Sequence, residues 1–200
     1  MGVYSLTKST INNWTKYSSM MAGSLPIPLP TDFQLISSQF LSATTSSVTF
    51  SSIPSTYQHL QLRITARMNT GTWAGLNVNI NSDTGTNYSK HKLARNGSSV
   101  MSQGVSPDTT FDFATPMPGA SSASGMYGAY VLDISDYAKT TKNKTLKMLS
   151  GNTDITNANA IVSLASSVWL STAAINSVTF TVAGSNFFIA GSRFSLYGWN

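Results

Sequence analysis

The sequence predicts an all-β protein: a jelly-roll-like, two-sheet antiparallel β-sandwich with a short N-terminal helical arm. Three runs carry this expectation. Leu60, Leu62, Ile64 and Ala66 alternate with Gln61, Arg63, Thr65 and Arg67, the period of a strand with one buried face. Before it, Val48 and Phe50 alternate with Ser and Thr, and Ile53-Pro54-Ser55 breaks the pattern. After the Asn69-Thr70-Gly71 turn signal, Leu76, Val78 and Ile80 alternate with Asn77, Asn79 and Asn81. Alternating runs separated by turn residues read as antiparallel strands.

The composition agrees. Ser and Thr make up more than a quarter of the chain, and strong helix formers are thin. Charged residues are 10% of the total, all seven acidic residues are Asp, and Glu is absent. The chain is nonetheless 41% hydrophobic and well patterned, which argues for a packed core over disorder. At 200 residues one sizeable core is expected. The lack of cysteine excludes disulfides, thiolate catalysis and cysteine-based zinc sites. No run approaches the length of a transmembrane helix, so no membrane partner is expected. The start of the chain lacks the continuous apolar stretch of a secretory signal, and Leu6 stands where a myristoylation motif needs Ser or Thr.

Taken in order, residues 1–24 form an arm. Ile11, Trp14, Tyr17 and Met21 recur at helical spacing, with Tyr4 upstream; Ser9 or Thr10 can cap the start and Gly23 the end. A lone helix of this size is marginal in water, so the arm is expected to dock, on its own domain or on a partner chain. Residues 25–32 contain Pro26, Pro28 and Pro30 in alternation and read as a stiff, extended spacer. Residues 33–200 form the sandwich. About ten strands are expected, drawn from 33–42, 47–51, 58–67, 74–82, 87–94, 109–114, 126–134, 145–150, 161–170, 176–183 and 193–199. Turns are expected at Asp83-Thr84-Gly85, Asn96-Gly97, Ser106-Pro107-Asp108, Pro116-Met117-Pro118-Gly119 and Asn143-Lys144. Ala120 to Gly128 is almost all small residues and reads as a mobile loop. The last alternating run, Arg193 to Trp199, is expected to pair inside a sheet.

Candidate chemistry is sparse. A triad needs a nucleophile, a His base and an orienting carboxylate. Only His59 and His91 are present, and no G-x-S-x-G elbow accompanies them. Asp133 with Asp136, and Asp108 with Asp112, are close in sequence, but each pair flanks a predicted turn, where Asp caps backbone. Asn79, Asn81 and Asp83, with Asn77, offer oxygens on one strand face; with a single acidic residue they predict at most weak calcium binding. No P-loop or dinucleotide glycine motif is present, and no cofactor is expected. Lys139, Lys142, Lys144 and Lys147 read as a solvated hairpin loop rather than a nucleic-acid contact. Trp73, Tyr88, Tyr127 and Tyr130 are expected in packing rather than in sugar stacking.

Four phrases carry a resemblance. Thr49-Phe50-Ser51-Ser52-Ile53-Pro54, leading to Thr56-Tyr57 and His59-Leu60, is the first. Asp83-Thr84-Gly85 followed by Asn87-Tyr88 is the second, and Ser171-Thr172-Ala173-Ala174-Ile175 with Ser177 the third. Gly191-Ser192, followed by Phe194-Ser195-Leu196-Tyr197-Gly198, is the fourth. Together they resemble a family of tailed-bacteriophage virion structural proteins, including those of phages of cyanobacteria and marine bacteria. The resemblance covers most of the chain from Phe33 onward, and the arm looks like leaders seen on such proteins. It implies a non-enzymatic virion structural component. Within the particle, the small single domain and an arm suited to clamping neighbouring subunits favour a capsid decoration or cement protein, held by its arm to the major capsid protein or to tail or adaptor proteins. A homo-oligomer is expected, taken as a trimer by analogy. A tail- or fibre-associated host-recognition module that binds surface glycan is the alternative. The motifs are turn formers and core strands, so no catalytic residue is implied.

Overall fold

In the computed structural model, residues 33–71, 73–95, 99–152 and 160–200 are described. The arm residues Tyr4, Ile11, Trp14, Tyr17 and Met21 lie outside them, as do the proline spacer and the Asn96-Gly97 turn.

The described residues are all-β, in twelve strands. In chain order these are β1 (Phe33–Phe40), β2 (Ser47–Phe50), β3 (His59–Ala66), β4 (Trp73–Ile80), β5 (Tyr88–Arg95) and β6 (Val100–Asp108). They continue with β7 (Phe111–Pro118), β8 (Gly128–Ser135), β9 (Lys144–Asn152), β10 (Ile161–Trp169), β11 (Val178–Val182) and β12 (Arg193–Trp199). A single 3₁₀ turn, Ala183–Ser185, follows β11. The strands form two antiparallel sheets. The larger has eight in the order β1-β12-β3-β8-β9-β10-β5-β6, and the smaller has four in the order β2-β11-β4-β7.

Strand β3 shows why the sheets stack. Leu60, Leu62, Ile64 and Ala66 are buried on one face while Arg63 and Thr65 stay exposed on the other. The smaller sheet answers with Val48, Phe50, Leu76, Val78, Ile80 and Phe180, all in the same hydrophobic cluster. Phe180 of β11 meets Phe194 of β12 across the two sheets, with ring centroids 5.6 Å apart. Phe188 packs edge-on against Phe194 at 5.0 Å. Each fully buried side chain of this size contributes roughly 1.5–3 kcal/mol. The C-terminal strand β12 lies between β1 and β3, hydrogen-bonded on both sides, as its alternation predicts.

Five local expectations are corrected. All eleven expected segments contain strand, and β6 is a further one. Its side chains are exposed on almost every position, so it carries no alternation to read. The expected turn at Ser106-Pro107-Asp108 is the end of β6, with a cis peptide before Pro107. The expected turn at Pro116–Gly119 lies largely within β7, and Asn143-Lys144 opens β9 with Lys144 buried. Finally, the small-residue loop after β7 is clamped. The Arg67 guanidinium, itself buried, donates to the carbonyls of Ser122 at 2.9 Å, Ala123 at 2.6 Å and Met126 at 3.2 Å. Composition predicts mobility there because the anchoring side chain, just past the end of β3, is distant in sequence.

Candidate functional site

Three of the four phrases of the sequence resemblance meet in space, and Asn81, just before the second, reaches the third. Asn81 sits just past β4 with φ of 50°. Its Oδ1 accepts the backbone N–H groups of Asn176 at 2.9 Å and Ser177 at 3.1 Å, and its Nδ2 donates to Ala174 O at 2.8 Å. The Ile53 N–H donates to Asn176 O at 3.0 Å, which ties the first phrase to the third. Tyr137, fully buried, donates its hydroxyl to Pro54 O and accepts Ile175 N–H at its carbonyl. The first phrase also meets the fourth. A Cβ on Gly198 would lie 2.3 Å from the Tyr57 ring, so only glycine fits beneath that tyrosine.

Asp83 is the centre of the second phrase. Its Oδ1 accepts Gly85 N–H at 2.8 Å, and its Oδ2 accepts Asn87 Nδ2 at 2.9 Å and the Trp169 indole N–H at 2.7 Å. The Trp169 hydrogen bond in particular holds the carboxyl below the usual aspartate range. Tyr88 is fully buried; its hydroxyl accepts Ile80 N–H and donates to Asp83 O, and burial pushes its pKa up. Of the residues considered for calcium, Asn79 donates Nδ2 to Asp83 O and Thr109 O and accepts the Thr110 hydroxyl at Oδ1 at 3.3 Å, and Asn81 and Asp83 are engaged as above. Among the described residues no group of three or more His, Cys, Asp or Glu side chains converges.

The other candidates are similarly engaged. Lys90 bridges Asp108 at 2.6 Å and Asp112 at 2.9 Å, so that carboxylate pair shares one cation. Asp133 accepts Gln61 Nε2 at 2.9 Å and faces Lys147 at 3.7 Å, while Asp136 pairs with Lys142. His59 lies against Trp199, with ring centroids 4.4 Å apart, and its Nδ1 accepts Asp136 N–H at 3.2 Å. His91 is exposed, and Lys90 and Lys92 point to the opposite face of the strand. Of the lysine run, Lys144 is not solvated. Its Nζ donates to the carbonyls of Lys142 and Thr172, and burial lowers its pKa. Tyr130 is a core residue, and Tyr127 donates to Ala190 O.

The outer face of the large sheet carries a concave surface with two arginines that no carboxylate neutralises among the described residues. Register places Arg193, Thr65, Ala129, Gly151, Val162 and Arg95 in a single row across β12, β3, β8, β9, β10 and β5. The neighbouring row is Arg63, Val131, Leu149, Leu164 and Leu93. The small side chains of the first row make a trough and the second row its ridge. The resulting groove, about 570 Å³, is lined among others by Arg63, Arg193, Tyr197, Val131, Leu149 and Val162. Arg63 lies over the rings of Phe33 and Tyr197 at 5.0 and 5.4 Å, and Arg193 lies over Phe40 at 5.2 Å. Among the described residues neither arginine has a carboxylate partner. Alternation along β3 marks Arg63 as outward-facing, but only the strand pairing brings it beside Arg193.

Compared with protein-family models, curated proteins and solved structures, the chain matches none. Among the described residues no helix is long and apolar enough to cross a membrane.

Proposed function

We propose that the chain is a non-enzymatic structural protein of a phage virion, most simply a capsid decoration or cement protein attached through residues 1–24. The observation that carries this reading is that the resemblance phrases serve the framework. Backbone bonds join the first phrase to the third at Ile53 and Asn176 and to the fourth through the pairing of Leu60 with Gly198, while Asn81 and Asp83 fasten the β4–β5 turn to the third phrase and to Trp169. Residues that recur in a structural family are expected to do this, whereas a catalytic family would bring its recurring residues to a cleft.

The sandwich is read as a jelly roll with two inserted hairpins. Setting aside β5–β6 and β9–β10, the strands left form the four-stranded orders β1-β12-β3-β8 and β2-β11-β4-β7. Numbered afresh, these are first-eighth-third-sixth and second-seventh-fourth-fifth, the order that two interleaved Greek keys produce. The partners would be the major capsid protein or tail or adaptor proteins, and the assembly a homo-oligomer, taken as a trimer.

The test is location and attachment. Mass spectrometry of separated heads and tails should find the protein with heads; a tail-only location ends the cement reading. Deleting residues 1–24 should leave the melting of the sandwich nearly unchanged and abolish incorporation into particles, with Trp14→Ala weakening incorporation more than Lys16→Ala. Normal occupancy of the truncated protein would move the attachment surface onto the sandwich. A second reading, a tail or fibre module for host recognition, is favoured by the groove on the outer sheet face.

A further inference from the structure

We propose that β6 is the edge at which two copies of this chain join. The two strands pair antiparallel about a two-fold axis at Gln103 and carry the eight-stranded sheet from one copy into the other. This goes beyond the proposed function and does not rest on the virion reading.

The first argument is what guards the other edges. An open edge presents unpaired N–H and C=O groups, and proteins blunt it with charge, proline, a bulge, short length or a cover. The two sheets have four edges, β1, β6, β2 and β7. The pairing of β1 is broken by a register shift between Leu35 and Ser37. Strand β2 has four residues, and the Gln39 side chain donates to its Thr49 carbonyl at 2.8 Å. Strand β7 contains Pro116 and Pro118, which have no N–H to offer, and its pairing with β4 is irregular. Residues 100–105 of β6 have none of these devices. They include no charge and no proline, and their register with β5 is unbroken; Pro107 and Asp108 come only after them. Among the described residues only β5 pairs with β6.

The second argument is exposure. Residues 100–104 are exposed whichever face they point to, with Val100 at 70% and Met101 at 36%. Such a strand gains little from burial and is held by one ladder. A neighbour on the free edge adds a second ladder and covers its apolar side chains.

The third argument selects the occupant. Met101, Gln103 and Val105 share one face of β6, and residues opposite each other in an antiparallel ladder point to the same face. An axis at Gln103 sets Met101 against the partner's Val105, and Val105 against the partner's Met101. Gln103 then meets the partner's Gln103, where each amide can donate to the other. Pairing covers residues 100–106 and leaves Pro107 outside it. No charge within that stretch opposes another. The contact also closes: once β6 is paired, the edges left are the guarded ones, so growth stops at two copies. Joining β6 to β1 of the next copy would instead be head-to-tail and open-ended. The two-fold contact joins copies in pairs whether or not they also associate in threes.

The experiment uses the full-length chain in sedimentation velocity and light scattering over a wide concentration range. One strand pair is a small interface, so the mass should double only as concentration rises. Gln103→Lys and Gln103→Glu each set like charges opposite one another on the axis. Each should weaken doubling at least tenfold with unchanged melting, and an equimolar mixture of the two should recover it. The chain has no cysteine, so Gln103→Cys supplies a single thiol. Opposite residues in such a ladder lie about 4.5–5.5 Å apart at Cα, within disulfide reach. Under copper–phenanthroline oxidation, Gln103→Cys should give a linked dimer at least tenfold faster than Phe40→Cys, an exposed position on the β1 edge. A mass that stays constant up to the solubility limit overturns the proposal. So does doubling that both charge variants retain, a mixture that doubles no better than its components, or cross-linking as fast at position 40 as at 103. Because the assay uses isolated protein, its failure leaves the virion reading untouched.

Discussion

Leu62 and Leu93 belong to the same eight-stranded sheet, yet Leu62 is 0% exposed and Leu93 is 55% exposed. Around Leu62 the smaller sheet lies opposite, and Leu62 belongs to one hydrophobic cluster with Val48, Phe50, Leu76, Val78 and Phe180 of that sheet. Around Leu93 no second layer lies on the outer side among the described residues. On the inner side of β5 the nearest strand of the smaller sheet is β7, whose Asp112 binds Lys90. Half of the sheet is thus a sandwich and half is an extension. The difference teaches that alternation reports a strand's two faces but not which face has a neighbour. An apolar side chain is a core residue only if another layer exists to cover it.

The largest expected effect tests this contrast directly. Leu62→Asp should abolish folding, because it places an unpaired charge in the closed half, a cost of several kcal/mol against a total stability of about 5–15 kcal/mol. Leu93→Asp should change stability by no more than about 0.5 kcal/mol, as exposed substitutions generally do. Soluble expression and urea unfolding measure both. Equal damage from the two would mean that the outer face is already covered in the isolated protein.

A smaller effect is expected at Arg67, which fastens the loop between β7 and β8 from the closed half. Arg67→Met keeps the apolar stem but removes three hydrogen bonds from a charged donor. Bonds of this kind contribute roughly 1.5–3 kcal/mol, and the freed carbonyls can reach water, so a net loss of about 2 kcal/mol is expected. Limited proteolysis should then cut between Ala120 and Gly128. Continued resistance with unchanged unfolding would show that the loop is held by its own turns.

The smallest effect concerns the seam between the halves, where Asp83 of the β4–β5 turn binds Trp169 at the end of β10. Its folded pKa lies below the ordinary value of about 3.9, with the Trp169 hydrogen bond as the leading cause. The stability from this group is therefore fully present above that ordinary value. It disappears as pH falls through the depressed folded value. Asp83→Asn should lower stability at neutral pH by about 1 kcal/mol, the scale of one charge-assisted bond weakened to a neutral one. It should also flatten the loss of stability between pH 5 and 2. A wild-type profile already flat in that range would remove Asp83 from the seam.

The sequence by itself determined the class of the fold, because alternation depends only on the two-residue repeat of a strand. It placed Leu60, Leu62 and Ile64 in the core and Arg193–Trp199 inside a sheet, and it marked the Asp83 turn. It missed β6, since a strand wet on both faces has no pattern. It read Lys144 as solvated and the loop after β7 as free, since the carbonyls that bind Lys144 and the arginine that binds the loop are far away in sequence. Only the tertiary structure decided the sheet order, and with it the row from Arg193 to Arg95. Those residues are brought together by pairing among six strands, and no local signal in any one of them encodes the row. Its physical origin is register: once each strand's buried face is fixed by the core, the outward residues line up as a consequence.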